Sequence, residues 1–304
     1  MTSATTSVAA VLSALSGNDF LSSADATSEQ TSALLDLAGQ LKSGDRRIDL
    51  GNRVLGLIFT KASTRTRVSF QVAMARLGGQ TVDLNPQVTQ LGRGEPLEDT
   101  ARVLSRFCDV LAVRTFAQQE VADYAYWASI PVINALTDLE HPCQALADFL
   151  TMKEVFGDLN GQTLTYVGDG NNVAHSLMLC GALLGVNVRI ACPDGFEPLP
   201  GVLDQARALA VGGAEISVTS DPGAAVTGAQ AIYTDVWAGM GQEEEQRERE
   251  QAFQGFCVNE ELLAKADSGA IVLHCLPAHR GEEISPGVME GSASRIFDQA
   301  ENRL

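Results

Sequence analysis

Short apolar, β-branched runs alternate along the chain with longer stretches whose apolar positions recur every three or four residues. "VLGLIF" (Val54 to Phe59) is apolar throughout, which suits a strand buried on both faces. After it, Val68, Val72, Ala75 and Leu77 fall on roughly one helical face, and Gly78-Gly79 ends that helix. "TVDLN" (Thr81 to Asn85), "VLAVRTF" (Val110 to Phe116) and "PVINAL" (Pro131 to Leu136) continue the strand series, with "PLEDTARVLSRF" and "QQEVADYAYWA" as helices between them. The helical "HPCQALADFLTMKEVFG" leads into a second series: "TLTYVGDG" (Thr163 to Gly170), "NVRIAC" (Asn187 to Cys192), "EISVTS" (Glu215 to Ser220), "AIYTDVW" (Ala231 to Trp237) and "AIVLHCLP" (Ala270 to Pro277).

This repetition predicts an α/β protein of two domains, each a parallel β-sheet flanked by helices, joined by interdomain helices. The break falls within residues 137–150. The expected first domain is 1–140, joined by a C-terminal helix at about 290–304; the second is 141–289 and includes the linking helix. "SASRIFDQAENRL" is amphipathic and reads as that terminal helix. "QEEEQREREQ" (Gln242 to Gln251) reads as a solvated helix face. The opening "MTSATTSVAAVLSALS" has no Lys or Arg. It reads as a polar or weakly helical extension rather than a secretory or transit signal.

Charge narrows the partners. In 304 residues, 38 Asp and Glu outweigh 21 Lys and Arg, for a net charge of -17. Such a field disfavours nucleic acid and anionic membranes. An anionic substrate therefore needs a local cationic cluster. No stretch approaches about 18 consecutive apolar residues, so no membrane span is expected. The 6 cysteines contain no C-x-x-C pair and several lie in apolar runs, which points to reduced thiols in a cytoplasmic setting. His274 and His279 lack helical i, i+4 spacing and have a proline between them, so no metal centre is expected.

Parallel sheets bind ligands at the carboxyl ends of their strands, and the residues there are chemically unusual. After Phe59 comes Ser63-Thr64-Arg65-Thr66-Arg67, at the start of a helix. Free N–H groups and the helix dipole favour an anion there, and an arginine binds phosphate bidentately; the bland alternative is hydroxyl caps with surface arginines. Arg114 closes the third strand, and His141 and Gln144 share a face at the start of the linking helix. "YVGDGNN" lacks the third glycine of a dinucleotide turn. Asn171 and Asn172 suit polar recognition or helix capping. Asp235 follows the fourth strand of the second series, and Cys275 the fifth. Taken alone, Cys275 reads as an inert thiol.

Together "FTKASTRTRVSF", "HPCQALAD", "VGDGNN", "DVWAGMGQE", "HCLPAHRGEEI" and "FDQAENRL" closely resemble the aspartate/ornithine carbamoyltransferase family in motif order and spacing. The resemblance runs from about Asp19 to Leu304, and Lys61 and the "HCLPA" cysteine match the ornithine branch best. It implies transfer of the carbamoyl group of carbamoyl phosphate to the δ-amine of L-ornithine, giving L-citrulline and phosphate, in arginine biosynthesis. It implies that Ser63, Thr64, Arg65 and Thr66 hold the phosphate. Arg114, His141 and Gln144 would hold the carbamoyl group, with Arg114 and His141 polarising its carbonyl. Arg303 is a further carbamoyl-phosphate contact, although its place beside the last residue predicts fraying. Asn172 binds the acceptor's carboxylate end, Asp235 its α-ammonium. Cys275 and Leu276 sit near the reacting amine and the carbamoyl group, where Cys275 helps to remove the proton. No metal or organic cofactor is implied. The family is built on trimers, so a homotrimer or a higher assembly of trimers is expected, with Gln90 of "TQLGRGEP" reaching a neighbouring subunit's site.

One departure keeps other acceptors in view. The ornithine branch usually reads Ser-Met-Gly where this chain has Gly239, Met240 and Gly241. A hydroxyl on the ornithine-binding side is therefore missing. Carbamoyl transfer to putrescine, an N-acylated ornithine or aspartate is the alternative within the family. A dinucleotide-dependent oxidoreductase and a catalytically silent binding paralogue are the alternatives outside it.

Overall fold

A computed structural model of the chain describes residues 8–85, 94–238 and 246–304. The chain divides into two compact units, Met1–Leu146 with Arg303–Leu304, and Ala147–Asn302.

The first unit opens with α1 (Val8–Ser13) and α2 (Ser28–Ser43). Then β1 (Val54–Phe59), α3 (Arg65–Arg76), β2 (Gln80–Leu84), α4 (Leu97–Leu104), β3 (Val110–Arg114), α5 (Gln118–Trp127) and β4 (Val132–Leu136) alternate. The four strands are parallel, in the order β2-β1-β3-β4. Side chains alternate across the sheet. Leu55, Leu57 and Phe59 join Ala112, Ala135 and Met74 on one face. Ile58, Leu111 and Val113 join Ala101, Val121 and Tyr124 on the other. A continuous apolar run was the sequence sign of this two-sided burial. Gly56 is required by a close approach: a Cβ there would stand 2.8 Å from the Leu111 side chain and 3.2 Å from Cys108 Sγ.

Helix α3 turns a different face inward from the expected one. Val68 is 49 % exposed and Ala75 is also exposed. The inward row is Thr66, Phe70 and Met74, four residues apart, which stacks them along one side. The apolar pattern misled because a hydroxyl, Thr66, occupies an inward position.

Helix α6 (Pro142–Phe156) runs from the first unit into the second. There β5 (Thr163–Val167), α7 (Asn172–Leu183), β6 (Asn187–Ala191), α8 (Pro200–Leu209), β7 (Ile216–Thr219), α9 (Pro222–Val226) and β8 (Ala231–Thr234) follow. The chain ends through α10 (Gln246–Ala252), α11 (Glu260–Leu263), β9 (Ile271–His274), α12 (Pro286–Met289) and α13 (Ile296–Glu301). The sheet is parallel, in the order β7-β6-β5-β8-β9. Helix α7 is buried from Val173 to Leu183, as its nearly uniform apolar composition demands. Helix α13 groups with this second unit, against expectation, and only Arg303 and Leu304 group with the first. Among the described residues no helix is long and apolar enough to cross a membrane.

Strand order reverses direction between β1 and β3 in the first sheet and between β5 and β8 in the second. These are the switch points at which open parallel sheets leave a crevice beyond the strand ends. Several strands stop earlier than the apolar runs suggested. Gly168, Asp235, Cys275 and Leu276 are therefore loop residues just past β5, β8 and β9, at the carboxyl ends of the strands.

Candidate functional site

In the first unit, the β1–α3 loop and the end of β3 meet at the switch point. Thr64 occupies the N-cap of α3 in helical geometry and makes no side-chain cap bond. The capping explanation for its hydroxyl therefore fails. Arg65, the first residue of α3, is exposed, whereas Thr66 is buried and accepts hydrogen bonds from Arg303 Nη2 at 3.0 Å and Arg114 Nη1 at 3.5 Å. Arg303 also donates to Gln144 Oε1. These two bonds hold the Arg303 guanidinium against Thr66 and Gln144. Arg114 is buried at the end of β3.

His141 stands just before α6, fixed by a polar turn. Thr137 N–H donates to the Glu140 carbonyl at 2.9 Å, and the buried Glu140 carboxylate accepts from Ser22 Oγ at 2.5 Å and Ser23 N–H at 2.9 Å. His141 is itself buried. Burial first, then the charges of Arg303, Arg114 and Arg65, hold its imidazole well below the ordinary value of 6.5. It is a neutral ring beside three cations. The loop thus gathers Thr66, Arg114, His141, Gln144 and Arg303, with Arg65 close enough to bias the ring.

A pH effect on stability follows. Below about pH 6.5 the unfolded chain takes up a proton at His141 that the folded chain refuses, so the unfolded state binds more protons and stability falls as pH falls. Urea denaturation between about pH 7 and 5 should lose up to roughly 1.4 kcal/mol per pH unit from this ring. The His141→Gln variant should show a correspondingly flatter profile.

Arg67 is occupied elsewhere. It pairs with Asp83 on β2 and lies over the Phe59 ring at 5.0 Å. It braces α3 against the sheet. Lys61 lies over the Phe116 ring at 4.0 Å, and burial together with Arg114 lowers its pKa. Gln90, Gly239 and Met240 lie outside the described residues.

In the second unit the site gathers at the ends of β5, β8 and β9. Asp235 is buried. Its Oδ1 accepts from its neighbour's Val236 N–H at 2.8 Å and from Cys275 Sγ at 3.0 Å, and its Oδ2 from Asn171 Nδ2 at 3.2 Å. Asn171 is the N-cap of α7. Its oxygen accepts from Val173 N–H at 2.9 Å and Ala174 N–H at 3.2 Å, which leaves its nitrogen aimed at Asp235. Asn172, the residue singled out in the sequence, is half-buried in the first turn of α7. Asn171 is thus the asparagine that orients the carboxylate. The sequence offered Asn171 for polar recognition or for capping; it does both, capping α7 with its oxygen and holding Asp235 with its nitrogen.

The Cys275 thiol is pushed well above its ordinary range by burial, then by Asp235, whose carboxylate also accepts its hydrogen bond. This argues against Cys275 removing a proton: it is a thiol that donates, not a thiolate that accepts. Behind it, Tyr166 and Tyr233 stack at 5.7 Å, and burial with nearby carboxylates holds both phenols protonated. Gln299 on α13 donates to Asp148 at 2.7 Å and to the Tyr233 hydroxyl at 3.1 Å, and accepts from His274 N–H at 2.8 Å.

The "GDG" turn packs against the segment at Glu197 and Pro198. A Cβ on Gly170 would meet Pro198 N at 2.2 Å, so that glycine serves packing. Asp169 is engaged by Arg249 at 2.7 Å, and Arg249 also donates to the Trp237 carbonyl at 2.9 Å and lies over the Phe196 ring. Arg247, Glu248, Glu250 and Gln251 are exposed, as a solvated face requires; Arg249 on α10 is the exception among the described residues of the run, buried and bonded to the segment after Asp235. Arg249→Ala should cost about 3 kcal/mol, as breaking a buried pair does, read as a lower urea midpoint. Asp169→Asn in the same chain should recover part of the loss.

Asp235, His274 and Cys275 bring one potential ligand atom each within 4.8 Å of one another, as do His279, Glu282 and Glu283. Both His274 nitrogens are already used, Nδ1 by Leu276 N–H and Nε2 by Glu283. His274 could bind a cation only by giving up one of these bonds.

Two parallel α/β units, one with a cationic cluster at its strand ends and the other with a carboxylate–thiol cluster at its own, suit a two-substrate transferase. The sequence model for the aspartate/ornithine carbamoyltransferase carbamoyl-P binding domain matches residues 18–154, and that for the Asp/Orn binding domain matches 160–304. The chain belongs to the aspartate/ornithine carbamoyltransferase family. It is 82 % identical to an ornithine carbamoyltransferase of Parasynechococcus marenigrum, over 100 % of this chain and 96 % of that relative. Among solved structures, the ornithine carbamoyltransferase of Gloeobacter violaceus is 55 % identical with a TM-score of 0.87, covering 94 % of each chain. That of Pyrococcus furiosus is 47 % identical with a TM-score of 0.91, covering 95 % of this chain and 94 % of its own.

Proposed function

We propose that this chain transfers the carbamoyl group of carbamoyl phosphate to the δ-amine of L-ornithine, giving L-citrulline and phosphate. The observation that carries the reading is the set of Arg65, Arg114 and Arg303 acting on a neutral His141 beside Thr66. In a chain of net charge -17, such a cluster suits a small dianion.

Carbamoyl phosphate binds in the first unit. Ser63, Thr64, Arg65 and Thr66 hold its phosphate, with Gln90 of a neighbouring subunit completing the site. Arg114, His141, Gln144 and Arg303 hold the carbamoyl end. Ornithine binds in the second unit, its α-ammonium on Asp235 and its carboxylate on Asn172, with Gly239 and Met240 alongside. Cys275 and Leu276 flank the amine. The neutral amine nitrogen attacks the carbamoyl carbon, and charge builds on its oxygen. Arg114 and His141 N–H stabilise that charge; a neutral ring donates without having to lose its own proton. As the C–N bond forms, the C–O bond to phosphate breaks, and the amine's proton leaves with the phosphate. Cys275, a thiol bonded to Asp235, orients rather than deprotonates.

We place the protein in the cytoplasm, in arginine biosynthesis, as a homotrimer or an assembly of trimers. Its six free cysteines support a reducing compartment. Exposed Val68 and Val82 supply apolar surface that a subunit contact can cover. The reading is tested by incubating the chain with carbamoyl phosphate and L-ornithine. Citrulline and inorganic phosphate should appear in equal amounts, and phosphate release without citrulline would contradict it.

A further inference from the structure

We propose that Glu283 and His274 act as a positioning pair that sets Leu276 for the amino-acid acceptor, an inference that rests on the ornithine reading above. Among the described residues Leu276 is the one non-glycine with positive φ, at 61°. Bulky side chains avoid that region, and such conformations persist where surrounding groups over-determine them. The determining group is the His274 ring: Leu276 N–H donates to Nδ1 at 2.8 Å. An accepting Nδ1 places the ring hydrogen on Nε2, and Nε2 lies 3.0 Å from Glu283 Oε1. The same oxygen accepts His279 N–H at 2.5 Å. Both side chains are fully buried.

The carboxylate therefore selects the tautomer, and the tautomer supplies the acceptor that holds Leu276. The clamp spans Cys275, which lies between its two ends and donates to Asp235. His274 N–H is anchored in turn by Gln299 on α13. Glu283 thus acts on the acceptor site through the ring and the backbone.

Two substitutions separate the ring's two functions. His274→Asn keeps an acceptor oxygen near the Nδ1 position; His274→Gln keeps a donor toward Glu283 and loses that acceptor. Thermal melts of the full chain establish that each folds. The Gln variant should raise the ornithine KM roughly 10- to 100-fold while the carbamoyl phosphate KM stays within about twofold. The Asn variant should recover most of the loss. Equal impairment in both variants, no loss in the Gln variant, or an equal rise in both KM values would overturn the proposal.

Imidazole nitrogen NMR of the wild-type chain reads the clamp without any substrate or substitution, and the chain has only 4 histidines to assign. His274 should carry its hydrogen on Nε2 with Nδ1 bare, and the opposite tautomer or a doubly protonated ring would overturn the pair. A wild-type chain that makes no citrulline from ornithine would sink the activity instead, with the tautomer still deciding the clamp.

Discussion

Arg65→Ala is expected to lower kcat/KM for carbamoyl phosphate by about 10²- to 10³-fold, the cost of deleting one positioned donor from a developing-charge site. The fold should survive, because Arg65 is exposed at the start of α3. Its charge reaches His141 together with those of Arg114 and Arg303, so it stands over the same crevice. The matched control is Arg67→Ala. That arginine is committed to Asp83 and the Phe59 ring, and its loss should move thermal stability by about 1 kcal/mol or less with little change in carbamoyl phosphate KM. Steady-state kinetics and a melt for each variant check both. An Arg65→Ala enzyme near wild-type rate at low carbamoyl phosphate would contradict the phosphate role.

Asp235→Ala should weaken ornithine binding by about 10²- to 10³-fold, as expected when a buried charge partner is removed. The carbamoyl phosphate KM should hardly move. The variant has a second readout. Asp235 raises the Cys275 pKa both by its charge and by accepting the thiol's hydrogen bond. Without it, that pKa should fall toward its ordinary range, and burial keeps it from falling all the way. Alkylation of Cys275 should then be faster at a given pH than in the wild type.

The inner strands were legible because both sheets are parallel and covered on two faces there, so β1 and β5 read as buried runs; the edge strands β2 and β7 are partly exposed and more polar. The strand ends were not legible, because the run continues for a residue or more beyond the ladder, as at Cys192, Cys275 and Leu276. The face of α3 was misread since Thr66, a polar residue, turns inward to meet Arg303 and Arg114. Nearness in sequence cannot reveal partners such as Asp148 and Gln299, 151 positions apart. Nor did an acidic run announce that one of its arginines, Arg249, is buried against Asp169. The candidate residues emerged from motif resemblance; their tautomers, tethers and charge states came from geometry. Asn171, Glu283 and His274 lie within the quoted motifs but matter through what they hold: Asp235, His274 and Leu276 respectively.

The most direct measurement is kcat/KM for carbamoyl transfer to L-ornithine, putrescine, N-acetylornithine and aspartate, side by side. Putrescine offers no carboxylate to Asn172, and N-acetylornithine brings no charge to Asp235. Leaving a buried polar group unmatched costs an analogue heavily, so ornithine should be preferred by about 10²-fold or more over each of the others. A higher kcat/KM for any of the other three acceptors would contradict the account.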